Sequence, residues 1–202
     1  AALSAARLLF VPFGQIHRLP LHALWDGEQY LIERAECSYA PSASLAVCRH
    51  DGATGKAFQT WAGFAIADPA IPAARTEVDR IARHFVQATT YLEANANRQN
   101  LWQAAATSDI LHLATHGLFR PDNPFFSALK MADGWVDVRE LYQLPLTARL
   151  VVLSACESGV GEIAGGDEVV GLARGFLGAG REPAPRRSGT PARYWQRTAG
   201  PT

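Results

Sequence analysis

Two short stretches hold residues that can do chemistry together: LHLATHG, residues 111–117, and VVLSACESG, residues 151–159. Each is an apolar run that ends in a reactive side chain, His116 in the first and Cys156 in the second. A free thiol has a pKa of about 8.5, so only a few per cent is thiolate at neutral pH. A neighbouring imidazole raises that fraction by pairing with the thiolate, or acts as base during attack, and then protonates a departing amine. Gly117 adds an open backbone. With no Cβ, its N–H can approach a substrate carbonyl and meet the developing oxyanion, with the Cys156 N–H as second donor. Taken singly, each piece has a plainer reading: a cysteine on an apolar strand is usually core, and a His-Gly is usually a turn. Glu157 beside Cys156 would disfavour a thiolate if it pointed inward.

The pair can meet only if the elements carrying it are neighbouring parallel strands. Functional groups gather at the carboxyl ends of strands in open α/β sheets, and adjacent strands lie about 4.8 Å apart. Residues 109–115, DILHLAT, and 149–155, RLVVLSA, are apolar enough to be buried strands. Residues 7–13, RLLFVPF, read as another buried strand, and 61–67, WAGFAIA, as a strand closed by Asp68 and Pro69. Asp26 and Gly27 separate LPLHAL from QYLIERAECSYA, and the latter is expected to supply hairpin-like strands. TYLEA, residues 90–94, is a further short strand. Helices are expected over 41–49, with Pro41 near the start, over 74–87 and over 98–107. In the second of these, Val78, Ile81, Ala82, Phe85 and Val86 form one stripe at i, i+3, i+4, i+7 and i+8. After Gly165 and Gly166, Asp167 stands where an N-cap belongs, and Val169, Leu172, Ala173 and Phe176 mark a helix that stops at Gly178 and Gly180. Alternating strands and helices, two of the strands continuously apolar, predict an α/β fold with a mostly parallel sheet covered on both faces.

Composition narrows the function. The 202 residues hold 19 basic and 19 acidic side chains, so no charge excess points to nucleic acid or an anionic membrane. No apolar run approaches the roughly 18 residues needed to span a bilayer. Cys37, Cys48 and Cys156 are too few for a disulfide framework, which leans toward a reducing, cytoplasmic setting. His112 and His116 share the i, i+4 spacing of a zinc helix. HLATH lacks the glutamate of that motif and reads as strand, so no metal or cofactor is expected, and His112 is expected to be a satisfied core histidine or one that supports the site from behind. His17, His22, His50 and His84 show no partner pattern.

Residues 181–202 break the scheme. REPAPRRSGTPARYWQRTAGPT holds five arginines, four prolines and one acidic residue, with no apolar periodicity. An α/β chain that has just finished a helix should return with a buried strand, and prolines remove the ladder donors this needs. The segment reads as a disordered tail, with a shifted reading frame or artefactual junction favoured over a native flexible C-terminus or a basic interaction arm, and the folded unit, residues 1–180, is expected to be C-terminally incomplete. The start at AALS, without methionine, reads as a cut from a longer protein.

The motifs resemble a known family. ILHLATHGLF, then LVVLSACESGVGE, then GGDEVVGLARGFLGAG, resemble the CHAT domain of caspase-like cysteine peptidases associated with tetratricopeptide repeats. LLFVPFGQIHRLPLHAL, YAPSASL and DPA…TEVDRIA follow the same order of blocks, so the resemblance runs over about residues 7–180. It implies a caspase-like three-layer sandwich, bacterial in its associations, and a cysteine endopeptidase that cleaves protein substrates. By the same resemblance His116 is the catalytic histidine, Cys156 the nucleophile and Gly117 the oxyanion glycine, with no metal. It also implies preceding repeats or another sensor module that regulates the domain, and a further strand after GLARGFLGAG that this sequence lacks. Without that strand an apolar sheet edge is left open, and weak stability and low activity are expected. Asp167 and Glu168 are candidates to receive a basic P1 side chain, or simply cap the helix they begin. Two other functions fit the same sequence: a catalytically inactive caspase-like scaffold or signalling module, and an esterase or acyltransferase using the same dyad.

Overall fold

The computed structural model describes residues 7–14, 16, 19–40, 42–43, 57–66, 68–69, 71–118, 120, 123–154 and 167–179. The 41–49 helix, Cys48, His17, His50, Cys156, Glu157, the turn at Gly165 and Gly166 and the 181–202 tail lie outside these residues, apart from Ser42 and Ala43 at the start of that helix.

Nine strands and five α-helices occur among the described residues. They run β1 (Arg7–Phe10), α1 (Leu31–Arg34), β2 (Glu36–Tyr39), β3 (Thr60–Ala65), α2 (Ala74–Ala82), β4 (Gln87–Leu92), α3 (Arg98–Thr107), β5 (Ile110–Ala114), β6 (Gly117–Leu118), β7 (Ala128–Met131), β8 (Gly134–Asp137), α4 (Val138–Leu141), β9 (Leu150–Ser154) and α5 (Asp167–Gly178). The central sheet has the order β4-β3-β5-β9, and every pairing in it is parallel. β5 is buried at every position, as the apolar run ILHLA requires of a strand covered on both faces.

Side chains alternate across this sheet with period two. Trp61, Ala65, Ile110 and Ala114 face α2, where Val78 is fully buried among them. Ala62, Phe64, Leu111 and Leu113 face the other way, onto Leu101, Ala104 and Ala105 of α3 and Leu172 and Phe176 of α5. The result is a three-layer α/β sandwich, as expected. Gly63 has a packing reason: a Cβ there would sit 2.0 Å from Cη2 of Trp61, whose ring crosses the strand at that point. The same ring stacks on Phe85, with centroids 5.9 Å apart.

Three local expectations are corrected. Strand β1 is shorter than the RLLFVPF run and pairs in parallel with β2 in a sheet of its own, so Leu9, Val11 and Phe13 stay exposed rather than buried. QYLIERAECSYA forms α1 and then β2 instead of hairpin-like strands; Glu33 closes a capping box by accepting from the Tyr30 N–H, which starts the helix. Helix α2 ends at Ala82, one turn early, and His84 and Phe85 donate back to Ile81 and Ala82 in tight turns. Phe85 still reaches the core, while Val86 is fully exposed.

The small antiparallel sheet β6-β7-β8 was not anticipated. Its strands are too short to show a period, yet Leu129, Met131 and Val136 are fully buried and pack on the main core. An open apolar groove of about 280 Å³ runs between β9 and α5, lined by Leu150, Val151, Leu153, Ala173, Phe176 and Leu177 with Arg149 at one end. No helix among the described residues is long and apolar enough to cross a membrane.

Candidate active site

Strand register decides which residues can share an edge. Ala65 of β3 pairs with Ala114 of β5, and Ala114 pairs with Ser154 of β9. Three adjacent parallel strands therefore end level with one another. Asp68 follows the first by three residues, His116 the second by two, and Cys156 the third by two.

His116 is held by its backbone and by its ring. Its carbonyl accepts from the Lys130 N–H at 2.8 Å, and the hydroxyl of Thr115 donates to the Lys130 carbonyl. β7 thus grips the segment on both sides of one peptide. The ring's Nε2 lies 3.0 Å from Oδ2 of Asp68, and the His116 side chain is 17% exposed. From the sequence, Asp68 reads as the end of a strand and as part of the DPA block, with no role at the site. The following Pro69 was the available signal, because proline biases the residue before it to extended backbone.

Gly117 begins β6, where it is buried and pairs with Leu129. Bonded and non-bonded pairs alternate along an antiparallel ladder. The bond from Lys130 to His116 makes 116/130 the bonded pair, so the Gly117 peptide groups point away from β7. β6 is also an outer strand of its sheet among the described residues.

Beneath this edge sits a second histidine–carboxylate contact. His112, 3% exposed, places Nε2 at 2.8 Å from Oε1 of Glu77 on α2. The other oxygen of Glu77 accepts from the Ser154 hydroxyl at 3.1 Å. One carboxylate thereby ties α2 to β5 and to the last residue of β9. His112 is a satisfied core histidine, as expected. His22, for which the sequence offered no partner, lies with Nδ1 2.8 Å from the Tyr39 hydroxyl. Asp167 and Glu168 open α5, the helix that packs on β9.

A mixed α/β sandwich, with a parallel sheet that presents a histidine and a glycine at its carboxyl edge, defines a class of folds that work from strand ends. The CHAT domain family model matches residues 1–183, and the chain belongs to that family. It is therefore a member of a caspase-like, peptidase-related family. None of the curated proteins compared matches the chain.

Proposed function

We propose that the chain is a cysteine endopeptidase domain in which Cys156 is the nucleophile and His116 its base and acid. The observation that carries this reading is the level ending of β5 and β9, Ala114 opposite Ser154, with His116 and Cys156 each two residues further on. In this reading the thiolate attacks the scissile carbonyl, the N–H groups of Gly117 and Cys156 receive the oxyanion, and the His116 imidazolium protonates the departing amine. Water then hydrolyses the acyl-enzyme with His116 as base. The outward aspect of the Gly117 peptide supports its part, since a donor bound into the ladder could not serve.

The substrates are proteins, and Asp167 and Glu168, which open α5, either cap that helix or receive a basic P1 side chain. A preceding tetratricopeptide repeat or other sensor module would control access, and a cytoplasmic location fits the sparse cysteines. No cofactor is required by this chemistry.

The test is cleavage of a mixed peptide library together with alkylation of the thiols. Cys156 should label faster than Cys37 or Cys48 at neutral pH, and His116→Ala should remove the difference. Cleavage should disappear in Cys156→Ala. A folded chain that cleaves no peptide and labels all three cysteines alike would be the inactive scaffold, while turnover of esters but not peptides would make it an acyl-transfer enzyme of another kind.

A further inference from the structure

We propose that Asp68 is the positioning residue of this site, holding the Nε2 side of the His116 ring so that Nδ1 is the nitrogen that exchanges a proton with the Cys156 thiol. The assignment rests on the reading of His116 and Cys156 as the reacting pair, and it deepens that reading by fixing which ring atom does what.

β3, β5 and β9 are consecutive in the sheet and finish in register at Ala65, Ala114 and Ser154. Asp68 follows β3, His116 follows β5 and Cys156 follows β9 in the sequence, so His116 stands between the other two in strand order. An imidazole has two nitrogens on different flanks of the ring, and a middle residue can use one toward each neighbour. The flank toward Asp68 is already in use, Nε2 to Oδ2 at 3.0 Å.

A carboxylate only accepts, so its partner nitrogen carries the hydrogen and Nδ1 of the neutral ring is left with a lone pair. That lone pair takes the thiol proton. The ring becomes a cation with Nε2–H still on Asp68, and the proton on Nδ1 later passes to the amine as the C–N bond breaks. Asp68 stays ionised throughout and gives up no proton.

The backbone geometry explains why a ring tether is needed. Lys130 and Thr115 fix the peptide around His116, and neither of these hydrogen bonds is made to its ring. Rotation about the two side-chain torsions would remain open to an imidazole with no partner, and an ångström of misplacement can cost about a hundredfold in rate. Asp68 removes that freedom, and Pro69 behind it removes freedom from Asp68 itself by biasing it to extended backbone.

The experiment reads the ring directly, in a Cys156→Ala background that needs no substrate. An imidazole N–H open to water exchanges too fast to be observed by NMR, whereas one held on a carboxylate gives a resonance, assigned here by its loss in His116→Gln. The expected result is a His116 ring N–H on Nε2 that vanishes in Asp68→Ala and returns in part in Asp68→Glu, with the backbone amide spectrum retained. With Cys156 restored, Asp68→Ala should slow its alkylation by about tenfold or more, out of the roughly thirtyfold that full conversion to thiolate can supply. Peptide cleavage should fall mainly in kcat, with KM little changed. A His116 ring resonance on Nδ1, one indifferent to Asp68, or an unchanged alkylation rate in Asp68→Ala would overturn the proposal. Failure of the parent chain to cleave any peptide would sink the peptidase reading alone, because the resonance and the alkylation are both read without substrate.

Discussion

The two ends of the central sheet use the same kind of residue for different work. At the amino end, Asp109 accepts from the N–H groups of Gln59 and Thr60 at 2.8 and 3.1 Å, and its backbone carbonyl accepts from Arg149 and Leu150. One aspartate thereby joins the starts of β3, β5 and β9. At the carboxyl end, Asp68 and Glu77 each face an imidazole. A backbone N–H is a permanent donor, while an imidazole can donate, accept or change its charge. The carboxylate with permanent partners makes a joint, as Glu77 does between α2, β5 and β9, while Asp68, on the reading proposed above, serves a histidine that moves protons. The backbone bonds from Gln59 and Thr60, helped by the Thr60 hydroxyl and Arg149, hold the Asp109 carboxyl below the usual carboxylate range against the opposing cost of burial.

Substitutions at the two ends should therefore separate activity from stability. The largest effect is expected from His116→Ala, which should lower peptide cleavage by about a hundred- to ten-thousandfold while leaving thermal unfolding close to the parent. A melting temperature that drops in step with activity would erase the distinction between the ends. Gly63→Ala, between the ends, should destabilise by about 1–3 kcal/mol by driving a methyl into the Trp61 ring, read from urea unfolding. Glu77→Ala leaves the buried His112 without its carboxylate and should cost about 1–3 kcal/mol, and Glu77→Gln, which keeps a hydrogen-bonding side chain, should cost less. Equal losses in the two variants would mean that the charge, not the hydrogen bond, matters to His112.

The smallest effect sharpens the amino-end assignment. Because its folded carboxyl titrates below the unfolded value of 3.8, Asp109 contributes stability that is complete well above that value. The contribution is lost as the pH falls through the lower folded value. Asp109→Asn should flatten the acid limb of a stability–pH curve below about pH 4 and leave cleavage per folded molecule unchanged. An acid limb as steep as the parent's would assign that sensitivity to other carboxylates.

What the sequence made legible follows from the range of the interactions. β5, β9 and α3 were readable because their causes are local: continuous apolar runs, and Asn97, whose side chain accepts from the Asn100 N–H three residues on. The parallel arrangement followed from the alternation of elements, and with it the shared edge for His116. Asp68 and Glu77 were not readable as partners. Glu77 meets residues 35 and 77 positions away, and in sequence it is one more polar residue on the outer side of an amphipathic helix. The early end of α2 escaped notice because Phe85 reaches the core from a turn as well as it would from a helix. β1 escaped because apolarity alone does not say which sheet a strand will join.

The grip of β7 on His116 has a consequence for how such a domain can change. Lys130 fixes the histidine's peptide from beyond the connection that leads from β6 to β7, residues 119–127. Both ends of that connection are anchored by the same short ladder. Replacements at its exposed positions, such as Phe125, therefore lie apart from the contacts that hold the histidine. Such surface positions are suited to vary, carrying new contacts while His116 stays where it is.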